Sequence, residues 1–262
     1  MLLKILCIGD IVGSPGRKIV KKFVPAFRAE KSIDLVIANA ENAAGGSGLT
    51  PDLARSLFSA GVDVLTTGDH VWRKREIISA MEKGLPIVRP ENCPAGVPGK
   101  GVVLVTTDQG LEVAVILLLG RVFLKPIDCP FKAVDRALDR LGGRTRVIIV
   151  DMHAEATSEK IAMGYHLDSR VSAMVGTHTH VATADERVLE GGSAYITDLG
   201  MTGPSNSVLG RKIEKVLYNF TTGLPAAFDV ASGPTMLNGA LIEVDSETGQ
   251  AAGIERVHFE AS

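Results

Sequence analysis

Most histidines and several carboxylates of this chain come directly after short apolar segments. These residues are Asp10, Glu41, Asp69, His70, His153, His178 and His180, and they include four of the six histidines. If the apolar segments are strands of an open α/β sheet, their carboxyl ends border one crevice, and we expect the side chains to converge there. Transition metals bind imidazole and carboxylate groups. The positions therefore predict a metal site.

The number of these groups indicates two metal ions. Three carboxylates and three or four imidazoles exceed the four ligands of one tetrahedral ion but suit two divalent ions that share a bridging carboxylate and a hydroxide. Oxygen and nitrogen ligands without a thiolate favour Fe or Mn, and then Zn, over Ca or Mg. An extended segment would direct His178 and His180 to the same side. Such a centre generates hydroxide near neutral pH and neutralises the transition state of phosphoester hydrolysis.

Each of these residues taken alone also has a simpler interpretation. Asp10 suits a turn or a helix N-cap, Glu41 suits a loop, and Asp69 with His70 suits an exposed surface. The joint pattern is what favours a metal centre.

Two further segments are candidates for substrate contacts. Gly46 lies in Gly45-Gly46-Ser47-Gly48, where backbone amides would approach a phosphate or the chain would form a flexible turn. Arg17 follows a predicted turn that leads into a helix, and we expect it near the substrate anion.

Apolar runs of strand length alternate with helix-like segments along the chain, which indicates an α/β fold. Helices are predicted from Pro15, from Thr50-Pro51, from about Arg73 and over 131–141. Residues 239–244 and 253–259 flank a turn and predict an antiparallel hairpin, so we expect a sheet-rich sandwich rather than a doubly wound sheet.

Composition limits the functional classes. The 262 residues carry a formal net charge of −2 and only 5% aromatic residues, so we expect no long nucleic acid as a partner. No apolar run approaches the roughly 20 residues of a membrane helix. Three widely spaced cysteines fit a reducing compartment, and we expect a cytoplasmic protein that does not contact membranes. We expect one domain over 1–262, in which 201–235 forms a lid or an interface.

Seven motifs in order resemble the YmdB-like family of bacterial metallophosphoesterases, within the calcineurin-like superfamily. They are Gly9-Asp-Ile-Val-Gly13, Asn39-Ala-Glu-Asn42, Thr67-Gly-Asp-His70, Arg89-Pro-Glu-Asn92, Asp151-Met-His153 with Glu155, Gly176-Thr-His-Thr-His180 and Thr197-Asp-Leu-Gly-Met-Thr-Gly203. The resemblance implies a four-layered α/β/β/α sandwich of the calcineurin-like metallophosphoesterase type. It also implies a dinuclear metal centre, hydrolysis of small phosphodiesters such as 2′,3′- or 3′,5′-cyclic nucleotides, and a homo-oligomer.

The resemblance also assigns roles by position. Asp10 and His180 would serve one metal, and Glu41 would bridge to the second. Asp69, His153 and His178 would complete the second metal's ligands. Asn42 would contact a metal or the substrate phosphate. His70 would protonate the leaving alkoxide as the general acid.

Asp69 departs from the family pattern, which has Asn at this position. The carboxylate still offers an oxygen ligand but adds a negative charge. We expect tighter metal retention, weaker Lewis acidity and weaker attraction to phosphate.

Other classes fit less well. An amidohydrolase-type barrel would carry the His-x-His pair on its first strand and would need eight β/α units. A catalytically weakened regulatory protein that binds a nucleotide or a metal would not need His70 as an acid. A hydrolase with a serine or cysteine nucleophile is disfavoured, because the sequence lacks the motifs that usually surround such a nucleophile.

Overall fold

The computed structural model describes residues 1–262 as two β-sheets with helices on both outer sides. The strands are β1 (Leu2–Ile8), β2 (Asp10–Ile11), β3 (Leu35–Asn39), β4 (Val64–Thr66), β5 (Ile87–Val88), β6 (Val102–Thr106), β7 (Glu112–Leu119), β8 (Val147–His153), β9 (Ala173–Thr177), β10 (Arg187–Val188), β11 (Ala194–Ile196), β12 (Met201–Pro204), β13 (Thr235–Asp245) and β14 (Ala251–Ala261). The helices are α1 (Gly13–Lys31), α2 (Pro51–Phe58), α3 (Ile77–Glu82), α4 (Pro130–Leu141), α5 (Thr157–Leu167) and α6 (Ile213–Thr222).

The first sheet combines parallel strands with the C-terminal hairpin. Its strand order is β2-β12-β13-β1-β3-β4-β5, and β14 pairs with β13. Strands β1, β3, β4 and β5 are parallel, whereas β13 is antiparallel to β1 and β14. The predicted hairpin is confirmed, and both of its strands are longer than predicted.

The second sheet has the order β10-β11-β9-β8-β7-β6. Its four central strands are parallel, and an antiparallel strand lies at each edge. Strand β8 is buried along its whole length. Such a strand needs cover on both faces, which explains its nearly continuous apolar sequence.

Three apolar cores separate the layers. One core packs α1, α2 and α3 against the first sheet, for example through Val24 and Leu57. The second lies between the sheets, where Ile5 and Val115 are buried. The third packs α4 and α5 against the second sheet. The α/β/β/α sandwich is therefore confirmed, and two open sheets are incompatible with the amidohydrolase-type barrel.

Two helix starts differ from the sequence-based expectations. Helix α1 begins at Gly13, two residues before Pro15. Helix α3 begins at Ile77 and not at about Arg73. The amide of Arg73 bonds the carbonyl of His70 in a tight turn, and three successive cations at 73–75 oppose the positive end of a helix dipole. By contrast, α2 begins as expected, where the Thr50 side chain accepts from the Leu53 amide.

Residues 201–235 do not form one uniform element. Strand β12 pairs with β2 and β13 and so belongs to the first sheet. Helix α6 buries Val216 but exposes Leu217 and Phe220. Whether this segment acts as a lid or an interface stays a prediction. None of the helices has the length and apolar character needed to cross a bilayer.

Candidate metal centre

The predicted ligands lie where strands of the two sheets end. Asp10 is the first residue of β2, and Glu41 comes two residues after β3. Asp69 follows β4, His153 is the last residue of β8, and His178 comes directly after β9. Parallel strands end at a common edge, so residues far apart in sequence meet there.

Four of these side chains form a compact cluster. Glu41, Asp69, His153 and His178 each offer a ligand atom, and these atoms lie within 4.8 Å of one another. Nε2 of His153 lies 3.2 Å from a Glu41 oxygen and 3.5 Å from an Asp69 oxygen. Nδ1 of His178 lies 3.6 Å from the same Asp69 oxygen. One ion fits among these four groups.

A second group of ligands adjoins the first through Glu41. His180 Nε2 lies 3.7 Å from Oδ1 of Asp10. Asn42 Nδ2 lies 3.1 Å from His180 Nε2 and 3.2 Å from Oε1 of Glu41. Oδ2 of Asp10 accepts from the amide of His178. Asn42 thus links His180 and Asp10 to Glu41, which is a member of the cluster of four.

His178 and His180 do not lie on an extended segment, contrary to the prediction from their spacing. Strand β9 ends at Thr177, and His178 and His180 have φ values of 99° and 66°. The segment is therefore not extended, and the two imidazoles are not directed to one side of a strand. His178 contacts His153, whereas His180 contacts Asp10 and Asn42.

The side-chain amide of Asn42 is not oriented as a metal ligand. Its Nδ2, a donor, faces His180 and Glu41, while its Oδ1 faces His70. A donor nitrogen does not coordinate a cation, so coordination would require the amide to turn over.

His70 lies at the rim of this site. Its amide donates to Oε2 of Glu41 at 3.1 Å, and its Nδ1 lies 2.9 Å from Oδ1 of Asn42. The side chain is 26% exposed. This position leaves Nε2 free to exchange a proton with a bound molecule.

Two carboxylate oxygens without a hydrogen-bond partner indicate whether these residues can bind a metal ion. Oδ1 of Asp10 and Oδ1 of Asp69 are buried and have no hydrogen-bond partner. Burial raises the pKa of Asp10 to about 6, because a charged carboxylate loses its hydration there. Buried acceptors without donors are costly, and a bound cation would satisfy both. The donor set therefore fits metal ions.

The imidazoles and carboxylates also influence one another's protonation. Burial opposes the charged form of His153, but Glu41, Asp69 and Asp10 outweigh it and raise its pKa. Burial would raise the pKa values of Glu41 and Asp69, but His153 lowers both. Burial and His153 lower the pKa of His178 to about 4. Neutral His178 has a lone pair for a metal at physiological pH.

The centre carries an excess of negative charge. The centre and its immediate surroundings hold six carboxylates: Asp10, Glu41, Asp69, Asp151, Glu155 and Asp198. Lys160 is the one buried lysine or arginine of the chain, and it contacts Asp198. Even with His153 protonated, the carboxylates outnumber the nearby cationic side chains, and this excess favours the binding of metal cations.

A hydroxyl relay orients His153. Nδ1 of His153 lies 2.8 Å from Oγ1 of Thr177, which donates to Asp151 at 2.7 Å. Thr66 also donates to Asp151. Because Asp151 accepts from Thr177, the Thr177 oxygen accepts from Nδ1–H, and the lone pair of His153 is on Nε2. Neither Thr177 nor Asp151 was identified as functional from the sequence, although both lie within the motifs shared with the YmdB-like family.

Gly68 is required by the close approach of two ligands. A Cβ at this position would collide with Glu41 and His153. This contact explains why glycine precedes Asp69.

Arg17 and Gly46 both make hydrogen bonds that stabilise the loop after Glu41. Arg17 donates to the carbonyl of Ala43. The amide of Gly46 donates to the carbonyl of Asn42, and Arg211 donates to the carbonyl of Gly46. These contacts favour the turn over the phosphate-binding alternative for Gly46, because its amide is already bonded. Arg211 was not identified from the sequence.

This sandwich and this donor set define the class of metallophosphoesterases. Residues 6–257 match the YmdB-like protein family, and the chain belongs to that family. A protein of Bacillus subtilis (strain 168), named 2′,3′-cyclic-nucleotide 2′-phosphodiesterase, is 49% identical over 97% of this chain and 96% of its own length.

Two solved structures are also similar. A hypothetical protein from Thermus thermophilus has a TM-score of 0.93 and 40% identity over 99% of this chain and 100% of its own. A protein described as a novel phosphatase from Mycoplasma pneumoniae has a TM-score of 0.93 and 34% identity over 99% of this chain and 94% of its own.

Proposed function

We propose that this chain is a dinuclear metal-dependent phosphodiesterase that hydrolyses small phosphodiesters, with cyclic nucleotides as its substrate class. The name of the Bacillus subtilis relative supports phosphodiester hydrolysis and, more specifically, 2′,3′-cyclic nucleotides. The observation that carries the dinuclear proposal is the position of Glu41. Its carboxylate belongs to the cluster with Asp69 and contacts Asn42, which in turn contacts His180. Each of the two groups has a buried carboxylate oxygen without a hydrogen-bond partner, on Asp69 and on Asp10.

Two sets of residues would hold the ions. Asp10 and His180 would bind one, and Asp69, His153 and His178 would bind the other, with Glu41 shared. When bound, the two ions would supply hydroxide near neutral pH and neutralise charge on the phosphate. Fe or Mn suits this donor set best and Zn is also compatible, because no thiolate is present.

His70 would act as the general acid. Its Nδ1 is engaged with Oδ1 of Asn42, which fixes the orientation of the ring. The proton for the leaving alkoxide would therefore come from Nε2, which lies 3.7 Å from Asp69. The oxygen of the hydroxide would bond to phosphorus, and the bond between phosphorus and the ribose oxygen would break. The proton from His70 would convert that ribose oxygen to a hydroxyl. Water later restores the proton on His70.

Asn42 connects these groups. Its amide contacts His70, Glu41 and His180. We propose that Oδ1 of Asn42 positions His70, and that Nδ2 would donate to a phosphate oxygen once Glu41 and His180 bind metal ions and no longer accept from it. The cytoplasmic location and the homo-oligomeric state stay predictions.

Metal content and hydrolysis test this proposal together. After reconstitution with Mn²⁺ or Fe²⁺, we expect two ions per chain and hydrolysis of both bis(p-nitrophenyl) phosphate and 2′,3′-cyclic AMP. His178→Ala should lose one ion and most of the activity. His166→Ala is the matched control, because His166 lies on α5 and contacts Asp135 outside the centre. Fewer than two ions in the unsubstituted protein, or full activity of His178→Ala, would overturn the dinuclear mechanism.

A further inference from the structure

A buried ion pair lies next to the loop that carries His178 and His180. Nζ of Lys160, on α5, lies 2.6 Å from Oδ2 of Asp198, and these side chains are 0% and 1% exposed. Removing two charges from water is costly, and such a pair often adds little stability compared with apolar residues. General stability is therefore a weak explanation for it.

The contacts of Asp198 indicate a more specific role. Its Oδ2 accepts from the backbone amide of Thr179 at 3.1 Å and from the Thr179 hydroxyl at 2.8 Å. Its Oδ1 accepts from the amide of Gly200 at 2.8 Å. Thr179 lies between His178 and His180. The carboxylate is thus bonded to the residue between the two imidazoles.

The backbone of this loop requires such support. His178 and His180 both have positive φ values, which cost free energy in residues other than glycine and persist only where the surroundings impose them. The amide of His178 donates to Asp10, and that of Thr179 donates to Asp198. Two successive amides are therefore held by two buried carboxylates.

Lys160 is built into the same region by close packing. Its side chain passes over Gly176 in β9, where a Cβ would contact Cδ of Lys160 and collide with the carbonyl of Thr197. Glycine at 176 thus lets α5 place a cation beneath the loop. Lys160 is the sole buried lysine or arginine.

We propose that Lys160 and Asp198 are positioning residues that hold His178 and His180 in the metal-binding geometry. This inference rests on the proposed metal centre. Neither Lys160 nor Asp198 would contact the substrate at that centre. Lys160→Met keeps the length and packing of the side chain but leaves Asp198 without its cation. Asp198 would then be a buried carboxylate without its cation, so it would move from this position and the Thr179 amide would lose its acceptor.

The experiment measures Mn²⁺ binding by calorimetric titration of metal-free protein, with thermal unfolding measured alongside. We expect Lys160→Met to weaken binding of at least one ion by roughly 10- to 100-fold, as for other residues that orient metal ligands. Turnover number should fall more than the affinity for bis(p-nitrophenyl) phosphate, because substrate binding residues are intact.

Arg28 and Asp63 provide a matched control away from the centre. Arg28 pairs with Asp63 at 2.9 Å, and Asp63 also accepts from the backbone amide of Val36. Arg28→Met should lower the unfolding temperature and leave Mn²⁺ affinity unchanged. If Lys160→Met behaves in the same way, the positioning role is refuted and the pair is structural.

A second variant covers the case in which Lys160→Met does not fold. Thr179→Val removes the hydroxyl bond to Asp198, and the weaker bond from the Val181 amide to the same hydroxyl, at a partly exposed position. We expect weaker Mn²⁺ binding with little change in unfolding temperature, and unchanged affinity would refute the inference. Failure of the unsubstituted protein to bind two ions would instead refute the proposed function, so the two failures are distinguishable.

Discussion

Asp69→Asn tests how the extra carboxylate of this chain affects its metal centre. The substitution introduces the residue that the resemblance to the YmdB-like family implies at this position, and it removes one negative charge while keeping an oxygen ligand. We expect weaker metal retention and a higher turnover per bound ion, because the ion would be a stronger Lewis acid and the phosphate would meet less repulsion.

The structure sets a lower limit on the effect. The ligand atoms of the cluster lie within 4.8 Å of one another, so an ion among them lies no farther than that from Asp69. A divalent ion and a carboxylate at this distance attract by about 1.7 kcal/mol even in a water-like dielectric. That energy corresponds to a roughly 20-fold change in the dissociation constant. The Asp69 side chain is 23% exposed, so the effective dielectric is lower and the effect larger.

The assay combines chelator competition with steady-state hydrolysis of bis(p-nitrophenyl) phosphate, normalised to bound metal. Asp63→Asn is the control, because it removes a similarly exposed carboxylate that contacts Arg28 and not the centre. If Asp69→Asn retains metal as tightly as the unsubstituted protein and its turnover per ion does not rise, the electrostatic reasoning is refuted.

Three further predictions concern protonation and hydrogen bonding. His70→Asn should lower turnover of 2′,3′-cyclic AMP by roughly 10²- to 10⁴-fold. Turnover of p-nitrophenyl esters should fall far less, because p-nitrophenolate leaves without a proton. Equal losses for both substrates would contradict the role of His70 as an acid. Thr177→Val removes the acceptor of His153 Nδ1–H and should weaken Mn²⁺ binding by roughly 10- to 100-fold in calorimetry, and unchanged affinity would contradict the relay. The pKa of Asp10, about 6 in the metal-free fold, lies above its unfolded value, so the native state binds the proton more tightly. The contribution of this group to the free energy of unfolding therefore falls, by about 3 kcal/mol, as pH rises from about 4 through 6. Mn²⁺ should therefore raise the unfolding temperature more at about pH 7.5 than at about pH 5 in differential scanning fluorimetry, and a larger rise at the lower pH would refute this.

The apolar pattern was sufficient to predict a sheet-rich α/β sandwich, the resemblance to the YmdB-like family supplied its four layers, and residue type at the ends of the predicted strands indicated most of the side chains that meet at the centre. Buried parallel strands need apolar side chains on both faces, and that requirement leaves uninterrupted runs such as 35–38 and 147–150. Ligands come where such runs end, so Glu41 and His153 are recognisable from position and residue type alone. The start of α3 was less predictable, because local charge and a turn at His70 outweighed the helical pattern.

Only the tertiary structure shows the contacts that separate His178 from His180, a division that the motifs gave solely as what the family resemblance implies. The spacing of His178 and His180 suggests an extended segment, but positive φ values direct their side chains to different partners. Those backbone angles depend on Asp10 and Asp198, which are distant in sequence. The same holds for Lys160, which in the sequence resembles any helical lysine. Burial and long-range hydrogen bonds exist only between elements that folding brings together, whereas apolar periodicity and residue type are local properties of the chain.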